Sequence, residues 1–229
     1  MWEVRKMNLS KSYEFFQPEK DKRRIHIVGC GSVGSTIAEN LARCGLTRFT
    51  LWDFDKVEAH NIVNQMFTEK DVGRMKVDAL VDILTDINPE IKQHVKTMPN
   101  GWHGEMMSGY IFLAVDSIDI RREIVKKHYN NLNVVAMFDV RTLLESAQHY
   151  AADWSNKKQK ENFLNSMNFT HEEASEETPV SACGITLGVA TTVRLVSALA
   201  VNNFINFVKG NGVWKFLQID GFHGILDAF

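Results

Sequence analysis

Cysteine is scarce in this chain. The three present, Cys30, Cys44 and Cys183, are widely spaced and form no C-x-x-C pair. No disulfide framework is expected, and no structural zinc held by cysteine pairs; a reducing, cytoplasmic setting fits. An excess of either charge is lacking too: 26 Lys and Arg stand against 28 Asp and Glu, a net charge of −2. No global field therefore points to nucleic acid. The local runs Lys20–Arg24 and Asn156–Glu161 read as solvated surface. The longest apolar stretch, Gly184 to Val208, is broken by Arg194 and by scattered Thr, Ser and Asn, so it reads as a buried helix rather than a membrane span. Residues Met1–Lys6 lack the apolar core of a signal peptide. Neither a membrane nor a nucleic acid is an expected partner. A chain that is 45% hydrophobic and 24% charged suits an ordinary globular domain. With no internal repeat and no linker, residues 1–229 are expected to form one domain.

The densest signal runs from Arg24 to Asp55. A short apolar run, Ile25 to Val28, ends at Gly29. Gly29, Gly31 and Gly34 then spell G-x-G-x-x-G, followed by a helical pattern over Ser35–Arg43 and a second apolar run, Phe49 to Trp52, ending at Asp53. Strand, glycine turn, helix, strand and acid make a phosphate-binding unit of the dinucleotide type. Gly29 allows the tight turn, Gly31 lets backbone approach a phosphate, and Gly34 lets helix and strand pack closely. The helix N-terminus offers free N–H groups and a positive dipole end. Asp53 suits ribose hydroxyls. This unit alone does not choose between a nicotinamide cofactor, a flavin, S-adenosylmethionine and ATP.

Beyond it, strands and helices alternate. Val77, Leu80, Val81 and Leu84 form one helical face, which Asn88-Pro89 stops. Ile91–Val95 alternates and reads as a strand. Tyr110–Val115 reads as a buried parallel strand, Ile118–Tyr129 as a helix and Asn133–Phe138 as a strand. The expected fold is α/β: a Rossmann-like, mostly parallel sheet with helices on both faces and a C-terminal strand and helix extension. Residues 1–23 read as an N-terminal arm and 152–178 as a polar surface excursion with an acidic stretch at Glu172–Glu177. Leu144–Ala151 and Val213–Ile219 are strand candidates, and Gly221–Phe229 a tail.

Glycine or acid at three strand ends, Gly29, Asp53 and Asp116, places a ligand site at the carboxyl edge of the sheet. Lys76, opening a helix opposite the glycine turn, suits a triphosphate. Asp116 suits a magnesium ion, which takes one or two carboxylates plus phosphate oxygens. A nicotinamide-dependent oxidoreductase has no evident use for Lys76 and Asp116, so the set favours ATP. Each residue also has a plainer use: Lys76 as a solvated first-turn lysine, Asp116 as a helix cap, Asp55 and His60 as ties within the loop after the second strand.

With these residues together, the chain resembles the ThiF/MoeB/HesA family, relatives of the ubiquitin-activating enzymes. The motifs that carry the resemblance are Val28–Gly34, Leu51–Val57, Asn61, Val72–Lys76, Ile87–Pro89, and Asp116 with Arg121 following. The resemblance implies adenylation, with ATP and Mg2+, of the C-terminal Gly-Gly carboxylate of a small ubiquitin-like or sulfur-carrier protein, by a homodimer whose site is completed across the subunit interface. It implies that backbone around Ser32 contacts phosphate, that Asp53 binds ribose, and that His60, Asn61 and Asn64 line the phosphates. Lys76 would neutralise charge on the α-phosphate, and Asp116 would hold magnesium. Asp55 and Ser117 fall within the same nucleotide-binding set. Asn64 stands where the family usually has an arginine; Arg74, Arg121 or Arg5 are the candidates to supply that charge. Without it, a nucleotide- or partner-binding relative that does not turn over is the alternative. Cys183 is a candidate thioester or persulfide nucleophile if it opens the long helix, and a structural cysteine if it is buried.

Overall fold

The computed structural model describes residues 6–170, 172–173 and 187–229. Among them, five strands run parallel: β1 (Ile25–Val28), β2 (Phe49–Trp52), β3 (Lys96–Met98), β4 (Gly109–Leu113) and β5 (Val134–Thr142). Three more, β6 (Ser146–Asp153), β7 (Phe216–Asp220) and β8 (Ile225–Ala228), continue the sheet antiparallel. The order is β3-β2-β1-β4-β5-β6-β7-β8. The helices are α1 (Ser32–Arg43), α2 (Lys76–Ile87), α3 (Ile118–His128), α4 (Lys157–Asn165) and α5 (Ala190–Val208). No helix among the described residues is long and apolar enough to cross a membrane.

Both faces of the sheet are covered at β1, β2 and β4, which explains why these parallel strands read as continuous apolar runs. On β4, Tyr110 and Phe112 pack with Ile37, Leu41, Leu80 and Phe204 beneath α1, α2 and α5, while Ile111 and Leu113 pack with Ile124, Trp154 and Phe163 beneath α3 and α4. Phe112 stacks on Phe138 at 4.7 Å, and Phe204 meets Phe138 edge-on at 5.8 Å, the favoured aromatic geometries. The parallel register is level at its carboxyl edge: Val28 pairs with Trp52 and with Leu113, and Leu113 pairs with Asp139. The turns after β1, β2 and β4 therefore emerge side by side, with Asp139 of β5 in the same row.

The glycine turn is set by sterics. Gly29 has φ +91°, and a Cβ there would lie 2.7 Å from the backbone of Ala114. A Cβ on Gly34 would lie 1.8 Å from the carbonyl oxygen of Gly29, so α1 rests directly on the end of β1. Gly31 differs: its added Cβ would meet only Gln65 Nε2, at 4.0 Å.

Four expectations need correction. Ile91–Val95 is no strand: Pro89–Gln93 forms a 3-10 turn whose start is held by Asn88, its side chain accepting from the Glu90 N–H, and β3 begins only at Lys96. Proline φ and an Asn cap outweighed the alternating pattern. The supposed excursion after residue 152 carries α4, capped by Asn156, with Trp154, Phe163 and Met167 buried against the sheet. The supposed tail contains edge strand β8. The long helix begins at Ala190, not near Gly184, since residues 187–189 are not helical. Of the expected N-terminal arm, Phe16 is buried, and Leu9 and Pro18 sit against Gly45.

Gly34→Ala is expected to destabilise the fold by about 3 kcal/mol or more, the upper range for overpacking, whereas Gly31→Ala at the N-cap costs about 1 kcal/mol. Urea midpoints of the two variants test this; equal losses would contradict the steric distinction.

Candidate functional site

A cavity of about 1760 Å³ opens along the carboxyl edge of the sheet. Small-molecule pockets usually span roughly 300–1,000 Å³, so this one has room for a nucleotide and a second group. Its walls fall into two sets. One comes from the turns after β1, β2 and β4 and from the start of α2. The other comes from β5, β6 and β7 and from the chain after α4. Gly29, Gly31, Ser32, Asp53, Asp55, His60, Asn61, Asn64, Lys76, Asp116 and Ser117 all border the first set. Gly34, read as the residue that lets helix and strand pack closely, is not among the wall residues and rests against the Gly29 carbonyl instead. Cys183 lies outside the described residues, and the helix N-terminus expected to activate it starts at Ala190.

The start of α1 is built to take an anion. Its N-cap is Gly31, with no side chain closing the end, and its first turn carries no acid. The first N–H groups of a helix lack intrahelical partners, and here they meet the open face of Gly31. Nearby, Gln65 Oε1 is buried with no hydrogen-bond partner among the described residues, a polar atom that a ligand in the cavity can satisfy.

Asp53 braces the turn as well as facing the cavity. Its Oδ2 accepts the Cys30 N–H at 2.6 Å and its Oδ1 the Asp55 N–H at 2.8 Å. Burial pushes its carboxyl above the ordinary value, against the pull of those two N–H groups. Lys76 is buried to 7% exposure, and its Nζ donates to Asp55 Oδ2 at 2.9 Å. Asp55 thus ties down its loop and also fixes the ammonium. Asn61 is buried and accepts the Glu58 N–H, closing a capping box, while His60 Nδ1 lies 3.4 Å from Glu58 Oε2. Asn64 Nδ2 donates to Gly188 O at 3.2 Å. Ser117, rather than Asp116, caps α3 by accepting the Ile120 N–H. Asp116 is exposed at the cavity wall, and its Oδ1 accepts the Ser117 N–H at 2.8 Å. Among the described residues no cluster of three His, Cys, Asp or Glu could hold a metal by itself.

Of the arginines considered as substitutes at Asn64, Arg74 pairs with Asp71 and Asp82, away from the cavity, and Arg5 lies outside the described residues. Arg121 borders the cavity, but its guanidinium is held by the carbonyls of Val115 and Val140 and by Asp139. The second set of wall residues, Arg141, Gln148, Tyr150, Ser166, Phe169 and Gln218, was not singled out from sequence. The rule that flagged Asp53 and Asp116, an acid at a parallel strand's carboxyl end, would also have found Asp139.

The ThiF family profile matches residues 4–229. The chain belongs to the ThiF family. Ubiquitin-like modifier-activating enzyme 5 of Drosophila persimilis is 44% identical over 90 residues, which make up 39% of this chain and 22% of that protein. The same enzyme of Caenorhabditis briggsae is 33% identical over 128 residues, 51% of this chain and 29% of that protein. The ThiF-family chain thus spans less than a third of the length of these curated relatives. Among solved structures, E. coli MccB with MccA-N7isoASN has a TM-score of 0.72 at 18% identity, covering 93% of this chain and 66% of that one. E. coli MccB with ATP has a TM-score of 0.66 at 17% identity, covering 90% and 63%. At such identities the likeness is one of fold, and it matches the mixed sheet described above.

The raised value of Asp53 has a direct consequence. A carboxyl whose folded value exceeds its unfolded 3.8 contributes stability that is complete below that pH and is lost as pH rises through the folded value. Wild type is therefore expected to gain stability relative to Asp53→Asn as pH is lowered from neutrality toward 4, as read from urea midpoints; a wild type that instead loses stability relative to Asp53→Asn on acidification would contradict the burial of an ionised Asp53.

Proposed function

We propose that this chain is an ATP-dependent adenylyltransferase that activates the C-terminal carboxylate of a ubiquitin-like or sulfur-carrier protein. The observation that carries the reading is one cavity wall holding an uncapped helix N-terminus, a buried lysine and an exposed strand-end acid. The three have complementary uses for a triphosphate. The N–H groups beyond Gly31 take phosphate oxygens. Lys76, fixed by Asp55, offsets negative charge at the α-phosphorus. Asp116 has Oδ1 engaged by Ser117, and its Oδ2 has no partner among the described residues; it would hold magnesium, which offsets phosphate charge when bound. Asp53 keeps acceptor capacity for ribose hydroxyls.

In the reaction so read, a carboxylate oxygen of the carrier attacks the α-phosphorus. The bond to the leaving pyrophosphate breaks as the acyl–adenylate bond forms, and no proton transfer is required. Catalysis then rests on positioning and on charge stabilisation in place before the reaction. The second set of wall residues gives the carrier's extended C-terminus a place beside the nucleotide. The identities with ubiquitin-like modifier-activating enzymes support a protein carboxylate as the acceptor. A homodimer is part of the same proposal.

A second reading, nucleotide binding without turnover, is favoured by one observation. Both arginines bordering the cavity, Arg121 and Arg141, are tied to Asp139, so neither replaces the arginine that Asn64 lacks.

ATP–pyrophosphate exchange with Mg2+ and a panel of ubiquitin-fold proteins ending in Gly-Gly separates the two. Carrier-dependent exchange is expected, falling about 10²- to 10³-fold in Lys76→Ala with the fold retained. ATP binding by calorimetry without exchange for any carrier would favour the second reading, and unchanged exchange in Lys76→Ala would remove Lys76 from its role.

A further inference from the structure

Asp139 is fully buried in the row of strand ends, and two arginines from different elements converge on it. Arg121 of α3 pairs with Oδ1. The same guanidinium donates from Nε to Val115 O at 2.7 Å, again from Nη2 to Val115 O, and from Nη1 to Val140 O at 2.9 Å. Val115 immediately precedes Asp116. Arg141 of β5 donates from Nε to Asp139 Oδ2 at 2.8 Å, and from Nη1 and Nη2 to the carbonyl and hydroxyl oxygens of Ser166 at 2.8 and 3.1 Å. Its guanidinium lies 4.5 Å from the centre of the Tyr150 ring and 5.4 Å from that of Phe169. One carboxylate thus anchors both groups of cavity wall.

We propose that Asp139 is a positioning residue for both walls: through Arg121 it fixes the backbone that presents Asp116, and through Arg141 it fixes Ser166 and the Tyr150–Phe169 face. The physical case is one of charge and geometry. A guanidinium held out of water needs a charged acceptor, and N–H groups bonded on several sides, to Asp139 and to neighbouring oxygens, hold its plane. With Asp139 gone, carbonyls alone hold Arg121, and Val115 loses its rigid clamp. The same loss lets Arg141 leave the aromatic pair. The part of the inference that concerns Asp116 rests on reading the first wall as a magnesium–ATP site; the bracing itself does not.

The test uses the full chain as Asp139→Asn, Arg121→Lys and Arg141→Met, with Val201→Ala in the α5 core as a purely structural control. Calorimetry measures ATP affinity with and without Mg2+. Asp139→Asn and Arg121→Lys are expected to cut the enhancement by Mg2+ about 10- to 100-fold, as loss of outer-shell support for a metal ligand does. Arg141→Met and Val201→Ala leave that ratio unchanged, although each lowers the thermal midpoint. Hydrogen exchange without nucleotide gives the independent readout. Asp139→Asn speeds exchange about tenfold in both residues 114–118 and 164–169, Arg121→Lys in the first segment only and Arg141→Met in the second only, as local opening requires. Uniformly faster exchange, or none in either segment for a folded Asp139→Asn or Arg121→Lys, would overturn the proposal. If wild type binds no ATP even with Mg2+, the site reading fails, and the exchange pattern still decides the brace.

Discussion

Helix α1 cannot sit where it does unless residue 34 has no side chain. Its backbone rests on the carbonyl of Gly29, and that contact sets how far the helix N-terminus stands from the end of β1. Gly29 in turn lies against Ala114 at the end of β4. Two glycines therefore lock three things together: the first strand, the first helix and the neighbouring strand that leads to Asp116. The open face of Gly31 exists because its neighbours are fixed so tightly. A third glycine at that point leaves backbone N–H groups facing a cavity instead of another side chain.

Around that fixed point the sheet distributes charge by register. β1, β2 and β4 end level, and Asp139 falls beside Leu113. The acids in and beside this row meet different fates. Asp53 is spent mostly on backbone N–H groups, Asp55 on a lysine and Asp139 on two arginines, while Asp116 stays exposed. Burial alone would raise Asp139, yet Arg121 and Arg141 outweigh it and hold its carboxyl below the ordinary value. Asp53 lacks such partners and is raised. The surroundings, rather than the residue type, decide which carboxylate is available to a ligand.

The first wall of the site was legible because its signals are local. The glycine spacing, Lys76 at a helix start and Asp116 at a strand end can each be read within a few residues. The alternation of strands and helices likewise foretold the parallel half of the sheet. The second wall was not legible. Arg141 gains meaning only from Asp139, Ser166, Tyr150 and Phe169, which register and the packing of α4 bring together. Ile91–Val95 misled because alternation also arises in a short turn, and Pro89 with Asn88 decides that contest. The last residues read as a tail because β8 is exposed along its length and offers no buried face to betray a strand.

The antiparallel pairing of β6 with β7 has a bearing on how such a chain varies. Parallel neighbours require a crossover of one hand, and its length and path are constrained. Antiparallel neighbours impose no such demand. Everything from Trp154 to Lys215 leaves and re-enters the sheet at adjacent strands, so α4 and α5 are carried within what is topologically a single expanded hairpin. The entropic cost of closing a loop grows by only about 0.6 kcal/mol for each doubling of its length. Insertions in the exposed stretch of residues 209–212, between α5 and β7, can therefore be absorbed without shifting the register that aligns the strand ends.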